Sequence, residues 1–157
     1  MKVVLRVVGP TQEAYLREGE ELFQKRLGHY LPFEKEVIPD LKKAGRISPE
    51  QVCQQEGEAI LSRLSANDHL ILLDERGKTY TSEAFAHWLE QGLQLSARRL
   101  VFQVGGAYGF SAEVYARANG RLALSAMTFS HQMVRLFFLE QLYRAMTILR
   151  NEPYHNR

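Results

Sequence analysis

The sequence predicts an α/β domain, with a mostly parallel sheet that helices cover on both faces. Short, nearly continuous apolar runs alternate with longer segments of helical character, which is the pattern of parallel strands buried on both sides. Glycine or proline ends several of these runs. The chain has 157 residues, enough for one domain with its own core. We therefore expect residues 1–157 to form a single domain.

The first half of the chain predicts a strand, a helix, a second strand, a polar and basic loop and a second helix. In order, these cover residues 3–8, 11–27, 33–38, 41–47 and 48–64. Gly9-Pro10 ends the first strand, and Thr11 is placed to cap the helix that Gly28 ends. The second helix has the clearest start, because Ser48 and Gln51 form a capping box with Pro49 at the first helical position.

The second half repeats the order strand, turn, helix three times. The predicted strands cover residues 69–73, 100–104 and 122–125, and the helices cover 82–95, a short stretch from 111, and a long segment to about 150. Ligands bind beyond the carboxyl ends of the strands in such sheets. Three loops are therefore candidate ligand sites: residues 73–78, 105–110 and 124–130.

Each of these loops also has a purely structural interpretation. The run from Gly105 to Gly109 follows a strand, yet it is neither a dinucleotide fingerprint nor a phosphate-binding loop and is also typical of a tight connection. Ser125, Thr128 and Ser130 have hydroxyls for a ligand, and capping of the last helix is the stronger expectation for at least one of them. Residues 74–78 are expected to form a charged surface turn.

The C-terminal part of the chain has an excess of basic residues, and all of them are arginines. Residues 1–116 carry 14 Lys and Arg against 16 Asp and Glu, whereas residues 117–157 carry six arginines against Glu140 and Glu152. Arginine offers a planar fork that suits phosphates and carboxylates. This asymmetry favours an anionic partner near the C-terminus, and solvated helix charge explains it equally well.

Several other classes of site are not indicated. A single cysteine, Cys53, excludes an internal disulfide and fits a reducing cytoplasm. No apolar run approaches the roughly 20 residues that span a membrane. His131 and His155 lack partners at metal-binding spacing, so no metal is expected. The sequence shows no nucleophile elbow and no Ser-His-Asp order typical of a hydrolase.

Five motifs together resemble one known family. In chain order they are Leu73-Asp74-Glu75-Arg76-Gly77-Lys78, Val104-Gly105-Gly106-Ala107-Tyr108-Gly109, Leu124-Ser125-Ala126-Met127-Thr128-Phe129-Ser130-His131, Glu140-Gln141-Leu142-Tyr143-Arg144-Ala145 and Pro153-Tyr154-His155. With them, the chain closely resembles the ribosomal large subunit methyltransferase H family, small bacterial enzymes of the SPOUT class. The resemblance covers essentially the whole length.

The resemblance implies a fold and an activity that composition and periodicity do not show. It implies a C-terminal deep trefoil knot and a homodimer, which would work in the cytoplasm that the single cysteine indicates. Knots are otherwise nearly absent from proteins. It further implies transfer of a methyl group from S-adenosylmethionine to N3 of a pseudouridine in the 23S rRNA of assembled ribosomes. Two alternatives remain: a non-catalytic ribosome-binding module with a degenerate cofactor pocket, and a knotted methyltransferase for another RNA such as tRNA.

The resemblance also implies which residues form the site. The expected cofactor contacts are Leu73, Gly105, Leu124, Ser125, Ala126, Met127, Thr128 and Phe129. Arg144, Tyr154 and His155 are the candidate catalytic residues, because removal of an imide proton is helped by a cation or a base. Arg135 and Arg150 are the candidate RNA contacts. The structural alternatives are that Arg144 pairs only with Glu140 and that Tyr154-His155 seals a dimer interface.

Overall fold

Strands and helices alternate along the chain in the computed structural model, which describes residues 1–40 and 47–156. In order, the elements of this part of the chain are β1 Lys2–Val8, α1 Ala14–Leu27, β2 Phe33–Ile38, α2 Pro49–Ser62, β3 Asp68–Lys78, α3 Ser82–Leu93, β4 Arg99–Val104, α4 Ala112–Arg117, β5 Gly120–Leu122 and α5 Met133–Leu149. The predicted loop at 41–47 lies almost wholly outside the described residues.

The five strands form one sheet in the order β2-β1-β4-β3-β5, and every strand pair is parallel. Side chains alternate between the faces of β1. Val3, Leu5 and Val7 pack with α3 and α5, whereas Val4 and Val8 pack on the side of α2 and α4. All six residues of β4 are buried. The predicted fold class, a mostly parallel sheet with helices on both faces, is confirmed.

Helix starts follow the sequence signals except in α1. Ser48 Oγ accepts from the Gln51 N–H and Gln51 returns a hydrogen bond to the Ser48 N–H, so the predicted capping box is confirmed. The predicted cap at Thr11 is wrong, because α1 begins at Ala14. Thr11 is buried instead, and its hydroxyl accepts from Lys35 and Arg135 at 3.2 Å each.

The charged turn predicted at 74–78 is also wrong, because these residues continue β3. The ladder with β5 slips there, since Leu73 and Lys78 both pair with Leu122. Gly77 allows β3 and β5 to approach each other closely, because a Cβ at this position would lie only 2.7 Å from the Leu122 nitrogen. The strand predicted at 122–125 is shifted as well, since β5 ends at Leu122.

Ion pairs join four neighbouring strands, and the members of one pair, Asp68 and Arg99, stand at the start of β3 and β4. Arg99 donates two hydrogen bonds to Asp68, at 3.1 and 2.7 Å, and a third to Glu36 at 3.2 Å. Arg6 is fully buried in β1 and binds the same Glu36 at 2.8 Å. This network therefore connects β1, β2, β3 and β4.

Candidate active site

A cleft of about 670 Å³ lies at the carboxyl edge of β3, β4 and β5. The three segments that the sequence indicated as candidate ligand sites form its walls, and the first of them is the end of β3. Among the eight expected cofactor contacts, seven line the cleft: Leu73, Gly105, Leu124, Ser125, Met127, Thr128 and Phe129. Ala126 is exposed and is not part of the lining. The parallel sheet explains the convergence, because all its strands end at the same edge.

The glycine loop forms the wall that follows β4. Gly105 is buried, and a Cβ there would lie 3.2 Å from the ring of Phe110. Gly109 has a φ of 78°, a left-handed conformation that favours glycine, and its N–H donates to the Gly106 carbonyl at 3.2 Å. The loop is therefore a closed turn, and it lines the cleft with its glycines and with Tyr108 and Phe110.

Glu56 of α2 lies directly behind this loop and was not expected from the sequence. A Cβ at Gly106 would lie 2.4 Å from Glu56 Oε1, an oxygen with no hydrogen-bond partner among the described residues. Burial, reinforced by Asp40, raises the pKa of the Glu56 carboxyl. Gly57 is the feature of the sequence that could have pointed to this part of α2. A glycine within a helix lowers its stability, so its presence indicates close packing at that position. A Cβ there would lie 2.3 Å from Ser111 Oγ.

Two acidic residues of β3, Asp74 and Glu75, accept hydrogen bonds from side chains on other walls of the cleft. The Tyr115 hydroxyl donates to Asp74 Oδ2 at 2.9 Å, and the Thr128 hydroxyl donates to Glu75 Oε2 at 2.7 Å. Burial and the hydrogen bond to Asp74 raise the pKa of Tyr115, so its hydroxyl stays protonated at neutral pH. These contacts tie the end of β3 to α4 and to the loop before α5.

Two serines shape the loop between β5 and α5. Ser125 Oγ accepts from the Met127 N–H at 3.0 Å. Ser130 Oγ accepts from the N–H of Met133, the first residue of α5, at the same distance. The expectation that at least one hydroxyl here caps the last helix is therefore confirmed by Ser130.

The three candidate catalytic residues lie together near the C-terminal end of α5. Glu140 accepts from Arg144 at 2.8 Å and from the Tyr154 hydroxyl at 2.9 Å through the same oxygen. Arg144 also lies 3.0 Å from His155 Nδ1, and His155 Nε2 lies 2.5 Å from Glu83 of α3. We call Glu83, Glu140, Arg144, Tyr154 and His155 the C-terminal cluster. None of its members lines the cleft.

The contacts of the C-terminal cluster decide which groups carry protons. Arginine has donors only, so His155 Nδ1 accepts from Arg144 and the proton of the imidazole is on Nε2, which donates to Glu83. Burial and the hydrogen bond to Glu140 raise the pKa of Tyr154, which keeps its hydroxyl protonated. Tyr154 and His155 therefore act as hydrogen-bonding groups around Arg144 in this arrangement.

A small cavity lies between the C-terminal cluster and the cleft. Leu124 lines both the cleft and this cavity. On the other side of the cavity, Ser82 donates to Gln141 at 3.3 Å, and Gln141 donates to Glu140 at 3.0 Å. A chain of hydrogen bonds thus connects the wall of this cavity with the pairing partner of Arg144.

The two arginines expected to contact RNA differ in accessibility. Arg135 is fully buried, and its guanidinium donates to the carbonyls of Val8, Gly9 and His131 as well as to Thr11. This position corrects the expectation, because a guanidinium enclosed in the core does not reach a phosphate. Arg150 is exposed and lies 4.6 Å from the centroid of the Tyr30 ring.

Within the described ranges 1–40 and 47–156, no helix combines the length and the apolar character needed to cross a membrane. The same ranges hold no group of three or more His, Cys, Asp or Glu side chains arranged to bind a metal ion.

Comparison with known proteins agrees with this geometry. The family described as predicted SPOUT methyltransferase matches residues 1–155. A protein of Parabacteroides distasonis named ribosomal RNA large subunit methyltransferase H is 53% identical over 156 residues, which cover 99% of both chains. Proteins with the same name from Christiangramia forsetii and Cytophaga hutchinsonii are 50% and 51% identical. Those alignments cover 100% and 99% of this chain and 100% of each relative.

Proposed function

The chain belongs to the SPOUT methyltransferase family, and on this basis we propose that it methylates the RNA of the large ribosomal subunit. The observation that carries the proposal is the convergence of the three expected segments on one cleft, in a chain about half identical to relatives named for this reaction over their whole length. In detail, the proposed acceptor is N3 of a pseudouridine in 23S rRNA. The proposed setting is the assembled ribosome in the cytoplasm.

The proposed methyl donor is S-adenosylmethionine, and the cleft suits it in size and in lining. Its volume of about 670 Å³ lies within the range of small-molecule sites, roughly 300–1,000 Å³. Gly105 and Gly106 line the cleft, and their backbone N–H and C=O groups would be available to an adenine ring. Leu73, Leu124 and Phe129 would supply the apolar surface, and Ser125 and Thr128 would supply hydroxyls.

The protein's own task in this reaction concerns the acceptor nitrogen. When bound, S-adenosylmethionine supplies an electrophilic methyl group, so the chain need not activate it strongly. The imide N3 must pass its proton to water, and a fixed cation stabilises the resulting anion. We propose that Arg144 provides this charge, and that Glu140, Tyr154 and His155 hold its guanidinium in place. The raised pKa of Tyr154 argues against a phenolate as the base.

Two features of the proposal concern assembly. The C-terminal cluster does not line the cleft of its own chain, so we propose that a homodimer completes the site. Arg150, which is exposed, remains the proposed phosphate contact near the C-terminus.

The test combines binding with product analysis. Calorimetric titration should show that the purified protein binds S-adenosylmethionine. Mass spectrometry of 23S rRNA, after reaction with ribosomes that lack the modification, should show one added methyl group on a pseudouridine. Cofactor binding that is absent would favour a ribosome-binding module with a degenerate pocket. Methylation of free tRNA but not of ribosomes would favour an enzyme for another RNA.

A further inference from the structure

Two arginines beside the cleft have no polar partner among the described residues. Arg76 is exposed and lines the cleft at the slipped segment of β3. Arg121 is exposed in the edge strand β5. Neither guanidinium makes a hydrogen bond or an ion pair within residues 1–40 and 47–156. By contrast, the buried Arg99 and the half-buried Arg144 bind carboxylates.

The backbone brings these two arginines to the same side of the cleft. Gly77, the neighbour of Arg76, passes so close to β5 that a Cβ there would lie 2.8 Å from the Arg121 carbonyl carbon. Both arginines also lie near enough to Tyr115 to influence its hydroxyl. The positive charge of each tends to lower the pKa of Tyr115, although burial and Asp74 raise it by more. Tyr115 itself lines the cleft.

Arg121 is oriented by an aromatic ring and not by an ion pair. Its guanidinium carbon lies 4.3 Å from the centroid of the Tyr115 ring, a distance typical of a cation–π contact. Stacking occupies the face of the guanidinium and leaves the N–H groups at its edge available. Planar forks of this kind suit the oxygens of a phosphate.

The neighbouring acids are already engaged with donors of the protein. Asp74 accepts from the Tyr115 hydroxyl and from the Arg76 N–H, and Glu75 accepts from the Thr128 hydroxyl. Both carboxylates are therefore held by uncharged donors and do not pair with the two guanidinium groups. The guanidinium groups remain available to an external anion.

We propose that Arg76 and Arg121 form a phosphate-binding rim, which grips the backbone of the substrate RNA next to the nucleotide that enters the cleft. This inference rests on the proposed function and specifies its substrate contact. RNA is the favoured partner because positioning contacts to nucleic acids are made mainly to phosphates, with arginine as a frequent donor. The rim would orient the RNA without reading its bases.

The test measures the affinity for ribosomes that lack the modification, as a function of salt concentration. Arg76→Ala/Arg121→Ala should weaken ribosome binding about tenfold and reduce the slope of log affinity against log salt by roughly 1 per arginine. Affinity for S-adenosylmethionine, measured by calorimetry, should not change. Arg76→Lys/Arg121→Lys keeps both charges and should retain the wild-type salt slope.

A matched control exists at the opposite edge of the sheet. Arg63 and Arg98 are also exposed, and Arg63→Ala/Arg98→Ala removes the same charge far from the carboxyl ends of the strands. Equal effects of the two alanine pairs on the salt slope would overturn the inference. A loss of S-adenosylmethionine affinity with unchanged ribosome binding would also overturn it, by assigning the arginines to the methyl donor. A wild-type chain that bound ribosomes through these arginines but transferred no methyl group would refute the proposed function and support the rim.

Discussion

At the scale of single residues, Arg144 is the side chain on which the proposed chemistry depends most. It is half-buried, and its guanidinium contacts Glu140, His155 and the ring of Tyr154. Glu140 shares one oxygen between Arg144 and the Tyr154 hydroxyl. A simple surface ion pair contributes little to stability and does not account for so many fixed neighbours. The arrangement is better explained by the need to hold a cation in one position.

We expect Arg144→Ala to lower kcat for methyl transfer to ribosomes by roughly two to three orders of magnitude, as loss of a positioned electrostatic group does elsewhere. Because Arg144 does not line the cleft, calorimetry should show unchanged affinity for S-adenosylmethionine. Arg144→Lys keeps the positive charge but lacks the planar guanidinium. Its kcat should therefore lie between those of the wild type and Arg144→Ala. Reduced cofactor affinity in Arg144→Ala would contradict the assigned role.

Residue positions also show where prediction from sequence stops. Seven of the eight residues that the resemblance implied as cofactor contacts line the cleft, and the three segments that contain them were located from the apolar runs of the strands. Arg135 was expected to contact RNA and is buried instead. Sequence periodicity does not reveal that the carbonyls of Val8 and Gly9, more than 120 residues away, need its donors. Glu56 was missed for the same reason, since its environment is created by a loop 50 residues later.

At the scale of elements, β3 shows how tertiary contacts override a local signal. The run Asp74-Glu75-Arg76-Gly77-Lys78 has the composition of a turn. It nevertheless continues the strand, because Lys78 resumes pairing with β5 after the slip and its carbonyl accepts from the Ala123 N–H at 3.0 Å. The partner strand is only three residues long, so the sequence offers little warning of the pairing.

The ion pair at the start of β3 and β4 should make stability depend on pH. Burial tends to raise the pKa of Asp68, but hydrogen bonds from Arg99 and the Ser65 N–H prevail and lower it to about 2. A depressed folded-state pKa stabilises the protein above the unfolded-state value near 4 and loses this contribution as pH falls towards 2. Asp68→Asn should therefore cost roughly 2–3 kcal/mol in the free energy of unfolding at pH 7.

Urea denaturation at pH 7, 4 and 3 measures this effect, and the difference between Asp68→Asn and wild type should shrink as pH falls. Glu34→Gln is the control, because the Lys2–Glu34 pair is nearly half exposed and should contribute less than about 1 kcal/mol. An Asp68→Asn difference that stayed constant from pH 7 to pH 3 would refute this account.

At the scale of the whole molecule, the sheet separates stability from function by its two edges. The Asp68–Arg99 ion pair lies at the amino-terminal edge, whereas the cleft lies at the carboxyl edge. The alternation of strands and helices was sufficient to predict a ligand site at the carboxyl edge, but it gave no sign of the ion pair. The C-terminal knot stays a prediction from the resemblance, because threading of a chain leaves no periodic trace in its sequence.

An apolar face on α1 and α5 bears on assembly. It consists of Tyr15, Phe129, Met133 and Phe137: the Tyr15 hydroxyl lies 3.9 Å from Met133 Sδ, and the rings of Phe129 and Phe137 lie 5.0 Å apart. Tyr15 is 62% exposed and Phe137 is 40% exposed. Since Phe129 also lines the cleft, this α1–α5 face is continuous with the site. A second copy of the chain packed on it would lie next to the cleft.

We therefore expect the wild-type protein to sediment as a dimer, with twice the chain mass of 18.1 kDa. Phe137→Glu places a charge on the α1–α5 face, and burying it in an interface costs several kcal/mol, so this variant should sediment as a monomer. Leu95→Glu is the control, because Leu95 is 45% exposed at a position outside this face and its substitution should leave the dimer intact. If dimerisation completes the site, Phe137→Glu should also lose methyl transfer to ribosomes while retaining its helical circular dichroism. An active monomer would show that each chain carries a complete site, and would require the C-terminal cluster to reach its own cleft.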